Sequence, residues 1–286
     1  MGYLIFGSTG FLGSRILDYL HKKGKVVTTE KEILDKKLNN YSSFNSFKGL
    51  DDKSLDELVV NFHTIIDASG ISRNNKKIEF EDFLKSNAIW PYRLAKACIK
   101  AKVKLIWFSS IHANKYELGN FEENFDKYSL SKYLGENLIK DLVNWKEKIL
   151  ILRLGNIIGA PGKSYCGNSN LFAMNIASSI VKNQKAFILN QKNININLTS
   201  IQDLLGYIDD EIFGFIKVNS EYYCNLIEIA FAIKLIYEDL TNQKAEIFHN
   251  DKVINLASKI NHPKKILTDM KDLINFYLQH VKKQKK

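Results

Sequence analysis

The sequence predicts an α/β fold built on a doubly wound parallel sheet, and three observations carry the prediction. From residue 3 to about residue 155, short apolar runs alternate with segments of helical periodicity. The runs are continuously apolar, as strands are when helices cover both faces of a parallel sheet. A glycine-rich turn, Gly7-Ser8-Thr9-Gly10-Phe11-Leu12-Gly13, joins the first strand to the first helix.

Residues 3–6 (YLIF) form that strand, and SRILDYLHKKG follows with apolar positions at helical spacing and a stop at Gly24. KVVTTE is the second strand, SLDELVVNF a helix and HTIIDAS another buried strand. EDFLKSNAIWPYRLAKACIKA is a long helix in which Pro91, lacking an N–H, marks a kink or a late start. KLIWFSS, KYSLSKYLGENLIKDLV and KILILRLGN continue as strand, helix and strand. Past residue 155 the pattern loosens: LFAMNIASSIVK reads as a helix and ININLTSIQDLLGYI as a strand leading into one. NLIEIAFAIKLIYEDL and MKDLINFYLQHVKK are closing helices. We expect a dinucleotide-binding domain over 1–155 and a smaller α/β substrate-binding portion over 156–286, partly interleaved with it.

The 286 residues suit one large or two closely joined domains, and 45% hydrophobic with 25% charged residues is an ordinary globular composition. No apolar run approaches the ~18–20 residues that span a bilayer, and the chain starts directly in a strand-and-turn pattern without a cleavable leader. A cytoplasmic protein is expected. Cys98, Cys166 and Cys224 are odd in number and far apart, so neither a disulfide frame nor a metal site is expected. The net charge of +10 comes from scattered lysines, and arginine occurs only at Arg15, Arg73, Arg93 and Arg153. Surfaces that read bases or clamp phosphates lean on arginine, so neither nucleic acid nor membrane is an expected partner. The charge serves solvation, and it can attract an anionic substrate such as a nucleotide diphosphate.

At the first βα junction, glycines let the backbone turn tightly, and the helix N-terminus offers N–H groups and a positive dipole end to a pyrophosphate. Gly7, Thr9, Gly10, Phe11, Leu12 and Gly13 are therefore candidate cofactor residues. Their spacing is G-x-x-G-x-x-G in place of the ordinary G-x-G-x-x-G. Glu30, at the end of the second strand, suits the ribose diol of NAD. NADP stays open, because Lys31 and Arg15 are both candidates for holding a 2′-phosphate.

Tyr128 and Lys132 stand four residues apart on a predicted helix, one turn apart on one face. The same spacing occurs at Tyr19/Lys23 and Tyr92/Lys96, so spacing alone does not mark a site. What distinguishes Tyr128 is its context: GSTGFLG after the first strand and the serine pair ending WFSS on the strand before it. Together with HTIIDASG, Asn87 and Arg153-Leu-Gly-Asn156-Ile-Ile-Gly159, this set resembles the NAD-dependent epimerase/dehydratase branch of the extended short-chain dehydrogenase/reductase superfamily. The resemblance runs over about residues 3–160, continues weakly through NINLTSIQDLLGYI, and rests on order and length beyond.

The resemblance implies a Rossmann-like fold, a nucleotide-sugar substrate and a Ser/Tyr/Lys site. Tyr128 would pass a proton as hydride moves to or from the nicotinamide, and Lys132 would lower the phenol's pKa and bind the nicotinamide ribose. Ser110, with Ser109 as the alternative, would orient the reacting oxygen. The family's 4,6-dehydratases carry Asp-Glu after this serine, where this chain has Ile111-His112, so that dehydration is not expected. His112 is open to two uses, proton transfer beside a keto group or contact with substrate. The arginine that grips the diphosphate before the late strand is replaced by Asn195 and Asn197. Asn156, Lys163 and Asn170 are the substitute candidates. The resemblance further implies a homodimer paired through helices 83–100 and 128–144, with Leu134, Leu138 and Leu142 available as its face or as intrachain core.

The expected activity is thus that of a sugar-nucleotide epimerase or 4-ketoreductase in surface-polysaccharide or deoxysugar synthesis. The alternatives are an NADP-dependent reductase of a non-sugar carbonyl compound and a non-catalytic dinucleotide-binding regulator.

Overall fold

A computed structural model describes residues 2–29, 50–73, 78–117, 119, 125–167, 171–188, 195–218, 222–250, 252–254 and 261–284. Two compact units emerge, one comprising Met1–Leu154, Gly162–Cys166 and Tyr207–Lys217, the other Gly155–Pro161, Gly167–Gly206 and Val218–Lys286.

The first unit holds a six-stranded sheet in the order β2-β1-β3-β4-β5-β9. Its strands are β1 (Gly2–Phe6), β2 (Val27–Thr29), β3 (Phe62–Asp67), β4 (Lys104–Ser110), β5 (Ile149–Leu154) and β9 (Gly214–Val218). The pairs from β2 through β5 are parallel, with Leu4 opposite Ile65, Ile66 opposite Ile106 and Trp107 opposite Ile151. Chain order reverses at β1, which has β2 on one side and β3 on the other. Beyond the carboxyl ends of strands at such a reversal lies the crevice where α/β sheets bind ligands.

The helices of this unit are α1 (Phe11–Lys22), α2 (Asp52–Val59), α3 (Phe80–Leu84), α4 (Trp90–Ala101), α5 (Asn114–Glu117) and α6 (Lys127–Lys140). Leu55, Leu94, Cys98 and Ile139 bury their side chains with Leu4, Ile65, Leu105 and Ile151 in one core. Leu142, just after α6, packs against the same core, whereas Leu138 stays exposed. Pro91 acts as its chemistry requires. Residues Lys85–Ile89 form a π-helical turn between α3 and α4, which absorbs the helix bond that proline cannot make. The Asn87 carbonyl faces α6 at Gly135, where a Cβ would stand 2.3 Å from its oxygen. The glycine thus lets α6 approach the π-turn closely.

The second unit has two three-stranded sheets, β10-β8-β6 and β12-β11-β7. Their strands are β6 (Asn156–Ile158), β7 (Lys185–Ile188), β8 (Asn195–Ser200), β10 (Tyr223–Asn225), β11 (Glu246–His249) and β12 (Lys252–Val253). Helices α7 (Phe172–Asn183), α9 (Leu226–Thr241) and α10 (Lys264–Gln284) pack on one another, burying Ile180, Ile233 and Ile274. α8 (Ile201–Asp209) follows β8 directly. Asn225 and Glu228 form a reciprocal capping box at the start of α9, with both bonds at 2.9 Å.

Asp269, fully buried on α10, accepts hydrogen bonds from the Ser200 hydroxyl and from the Ile201 N–H at 3.2 Å, tying α10 to the start of α8. Burial pushes its carboxyl up to about 6, against the pull of the Ser200, Gln202 and Ile201 donors. The folded-state pKa therefore lies above that of the unfolded chain, and the folded state binds the extra proton. Stability from this group is gained as pH falls through about 6 toward the ordinary carboxylate range and is absent above it. Wild-type stability measured against that of Asp269→Asn is expected to rise by roughly 2 kcal/mol over that interval. Denaturant titrations of both proteins at a series of pH values check this; a difference independent of pH contradicts it.

Candidate active site

The glycine-rich turn runs from β1 into α1. Gly7 has φ 78°, in the left-handed region, and a Cβ there would stand 2.5 Å from the Ala68 carbonyl oxygen at the end of β3. Gly10 precedes α1 without a side-chain cap, and the first turn carries no acidic residue. A Cβ on Gly13 would stand 2.1 Å from the Gly7 carbonyl oxygen. A backbone packed this closely, opening on an uncapped helix N-terminus, fits the pyrophosphate of a dinucleotide. Gly13→Ala is accordingly expected to force the turn apart, costing on the order of 1–3 kcal/mol by overpacking, and to weaken NAD binding. Fluorescence titration of NAD beside thermal unfolding measures both effects; wild-type values for both would contradict the packing argument.

Residues Gly162–Cys166 lie on this turn and on α1. The Gly162 N–H donates to Ser14 Oγ (3.0 Å), the Ser164 hydroxyl to the Ser8 carbonyl (2.8 Å), and the Cys166 N–H to the Thr9 carbonyl (3.2 Å). Lys163 is held by its backbone N–H on Asp18 of α1 at 2.9 Å. Its placement on α1 is thus apart from the residues that line the cavity beside Tyr128. Glu30, Lys31 and Asn170 lie outside the described residues. Asn156, on β6, donates from Nδ2 to the Asn197 carbonyl at 3.1 Å and links β6 to β8.

Ser109 and Ser110 end β4, and strand alternation turns them to opposite faces. Ser109 donates to Glu136 in a buried cluster behind the sheet edge. There Glu136 pairs with Arg153, which also meets Asn114 and Glu117; Glu136 and Arg153 are each only 1% exposed. Ser110 faces the other way, toward the Tyr128 phenol. Its Oγ also accepts the His112 N–H at 3.3 Å, closing the short helical turn Ile111–Ala113.

Tyr128 is in the first turn of α6, whose N-cap Asp126 accepts the Ser129 N–H at 3.1 Å. Its ring meets those of Phe83 and His112 edge-on, each with centroids 6.4 Å apart. Burial pushes the phenol above its ordinary range; the Ser110 hydroxyl opposes this, Asp126 adds to it, and Arg73 opposes it. Lys132 is buried with its Nζ donating to the Phe108 carbonyl at 2.8 Å, 5.0 Å over the Trp107 ring. A Cβ on Gly70 would stand 2.8 Å from that Nζ, so the cation lies under the loop that follows β3.

Asn87 fixes this loop. Its Oδ1 accepts the Ile71 N–H (3.0 Å), while Nδ2 donates to the Ile71 carbonyl and to Ser131 Oγ (both 3.1 Å). Sequence reasoning named Asn87 only as part of a resemblance; its buried amide, bonded to both α6 and the loop, is what holds Lys132 and Gly70 together.

His112, Tyr128 and Asp126 line one open cavity of about 700 Å³, with Phe83, Phe125 and Ile111 as apolar wall. Burial, helped by Arg73, pushes the His112 imidazole below its ordinary value, so it is neutral near pH 7. Arg73 pairs with Asp126 at 2.8 Å. Sequence reasoning missed both Arg73 and Asp126, although Asp126-x-x-Ser129 carries an N-cap signal. The structure brings together Ser110, His112 and Tyr128 directly, and Lys132 through Asn87 and β4. Tyr19/Lys23 and Tyr92/Lys96 are on other helices, where Tyr19 and Lys23 bond Asp209 and Lys96 lies 5.7 Å over the Tyr92 ring.

Residues 3–224 match the NAD dependent epimerase/dehydratase family, so the fold is that of an extended short-chain dehydrogenase/reductase. The chain belongs to that NAD-dependent epimerase/dehydratase family. Among solved structures, it resembles the Helicobacter pylori ADP-L-glycero-D-manno-heptose-6-epimerase at 16% identity, covering 98% of this chain and 96% of that one, TM-score 0.68. It resembles the Bacillus cereus UDP-glucuronic acid 4-epimerase, in complex with NAD, at 15% identity over 98% and 97%, TM-score 0.65. A dTDP-4-dehydrorhamnose reductase of Bacillus anthracis, in complex with NADP, is 19% identical over 86% and 83%, TM-score 0.62. A comparison with curated proteins finds no match. Among the described residues, no helix is long and apolar enough to cross a membrane, and no His/Cys/Asp/Glu group could hold a metal ion.

Proposed function

We propose that the chain is an NAD(P)-dependent sugar-nucleotide epimerase or 4-ketoreductase that works through Ser110, Tyr128 and Lys132. The observation that carries the reading is Ser110, at the carboxyl end of β4, set against Tyr128 at the wall of a cavity. Epimerases and a reductase of nucleotide sugars among the structural neighbours support the substrate class, and their NAD and NADP complexes support the cofactor.

The dinucleotide, when bound, donates or accepts the hydride at a sugar ring carbon, C4 in this reading. Gly7, Thr9, Gly10, Phe11, Leu12 and Gly13 hold its pyrophosphate, and Lys132, under the Gly70 loop, holds the nicotinamide ribose. Tyr128 keeps the proton of the reacting sugar oxygen, and Ser110 orients that oxygen by a second hydrogen bond. The raised phenol keeps its proton when no cofactor is bound; a cationic nicotinamide and the Lys132 ammonium favour the phenolate in the holoenzyme. Neutral His112 is a suitable contact for a sugar hydroxyl, and Asn156 and Lys163 remain candidates for the nucleotide end. Ile111-His112 supplies no carboxylate pair, which disfavours 4,6-dehydration.

The reading places the protein in surface-polysaccharide or deoxysugar synthesis, as a homodimer paired through the helices around 83–100 and 128–144. Ile89 and Leu138 expose apolar side chains there, 47% and 39% accessible. Incubation with NAD or NADPH and a panel of UDP-, dTDP-, GDP- and ADP-linked sugars tests the function. An epimeric product without net cofactor change, or reduction of a 4-keto sugar with NADPH consumed, is expected. No turnover across the panel, with small ketones reduced instead, overturns it.

A further inference from the structure

The hydroxyl of Tyr116 is held against the start of the helix that carries Tyr128. Tyr116 is fully buried in α5, which follows the Ile111–Ala113 turn directly. Its Oη accepts the Asp126 N–H at 2.9 Å and donates to the Asp126 carbonyl at 3.3 Å. Asp126 is the N-cap of α6 and stands two positions before Tyr128. Its carboxylate takes the Ser129 N–H, and its carbonyl takes the Leu130 N–H at 3.0 Å as the helix begins. One phenol thus grips both backbone groups of the residue from which α6 departs.

The grip has a firm base. Asn114 and Glu117, on either side of Tyr116, both meet the buried Arg153. The Tyr116 ring also lies 6.1 Å from that of Tyr133 on α6. Ser110 caps the turn that leads into α5, so residues 110–117 carry both the serine that faces the Tyr128 phenol and the clamp on its helix. The placement of Tyr128 against Ser110 is referred to one short piece of chain. Phenylalanine at position 116 would keep the ring packing and lose both bonds. The start of α6 would then lean on the Asp126 carboxylate, which Arg73 shares at 2.8 Å. A reacting group misplaced by about 1 Å can lose ~10²-fold in rate.

We propose that Tyr116 is a positioning residue: its hydroxyl fixes the entry of α6 and so the distance of the Tyr128 phenol from Ser110. The effect on rate rests on the hydride-transfer reading; the geometry rests on contacts within the fold.

The rate is tested with Tyr116→Phe, Tyr128→Phe and the double variant, assayed with NAD or NADPH and the same panel of UDP-, dTDP-, GDP- and ADP-linked sugars. Tyr116→Phe is expected to lower kcat by ~10–100-fold, with KM and NAD affinity within roughly threefold of the wild type. On the Tyr128→Phe background the same change is expected to cost less than about twofold, because no proton carrier remains to be positioned. Equal losses on both backgrounds overturn the proposal and leave Tyr116 a structural residue. A crystal structure of Tyr116→Phe tests the geometry without any substrate. The Tyr128 hydroxyl is expected to move relative to Ser110 by more than ~0.5 Å, and an unmoved hydroxyl overturns the proposal. If Tyr116→Phe does not fold, hydrogen exchange on the wild type decides. The Asp126 amide is expected to be protected, and exchange at the rate of a free amide overturns the clamp. No turnover by the wild type across the panel, with the hydroxyl displaced in the variant, overturns the hydride-transfer reading alone.

Discussion

Replacing Tyr128 by Phe is expected to lower turnover by ~10²–10⁴-fold, the range a positioned general acid–base contributes, while NAD affinity stays near that of the wild type. The ring survives the change. Its edge contacts with Phe83 and His112 need no hydroxyl, so α6 and the cavity wall keep their packing. What is lost is the one oxygen that can hold the substrate's proton against Ser110. Ser110→Ala should act less severely, because it removes an orienting bond and leaves the proton carrier in place. Its phenol, without the serine hydroxyl that opposes burial, would be raised further, so the pH dependence of its turnover should move to higher pH. Steady-state rates and NAD titrations on the two variants separate these effects. Comparable activity in Tyr128→Phe would mean that another group carries the proton.

The second large effect is expected behind the site. Arg153→Met leaves Glu136 with its remaining cation, Lys140, 3.6 Å away, inside a cluster where the carboxylate is 1% exposed. Breaking a buried pair by removing one partner costs on the order of 3–5 kcal/mol, since the other charge is stranded. The double variant Glu136→Leu/Arg153→Met removes both charges and is expected to recover much of that loss. Glu136 lies one turn beyond Lys132 on α6 and also receives Ser109 from β4, so it ties the catalytic helix to the catalytic strand. Urea unfolding of the single and double variants decides the matter. A single variant as stable as the wild type would show that the pair contributes little.

Much of the first unit was legible in the sequence for identifiable reasons. Strands buried on both faces cannot hide polar residues, so YLIF, HTIIDAS, KLIWFSS and KILILRL stand out as apolar runs. Pro91 announced its break because a missing N–H must disturb a helix, and the π-turn at Lys85–Ile89 is the form the disturbance takes. Ser110 could be separated from Ser109 only in three dimensions, since alternation tells that they part and not which one meets Tyr128.

Other features were not legible because their causes are nonlocal. β9 (GFIKV) joins β5 at the sheet edge from some 60 positions along the chain, and nothing in five residues announces that partner. The short strands β6, β7, β10, β11 and β12 have the same character. Arg73 looked like one of four scattered arginines; its pairing with Asp126, across 53 positions, brings it to the cavity. The burial that raises the Tyr128 phenol and the Phe108 carbonyl that anchors the Lys132 ammonium are nonlocal in the same way.

The most direct test of hydride transfer at a sugar ring carbon mixes the NAD-loaded protein with nucleotide sugars deuterated at C4 and quenches within the first turnover, for mass spectrometry of the cofactor. Deuterium is expected on the nicotinamide of the wild-type protein and at background on that of Tyr128→Phe. Label passing to water, product formed with no deuterated nicotinamide at any quench time, or equal labelling by Tyr128→Phe, would contradict the mechanism.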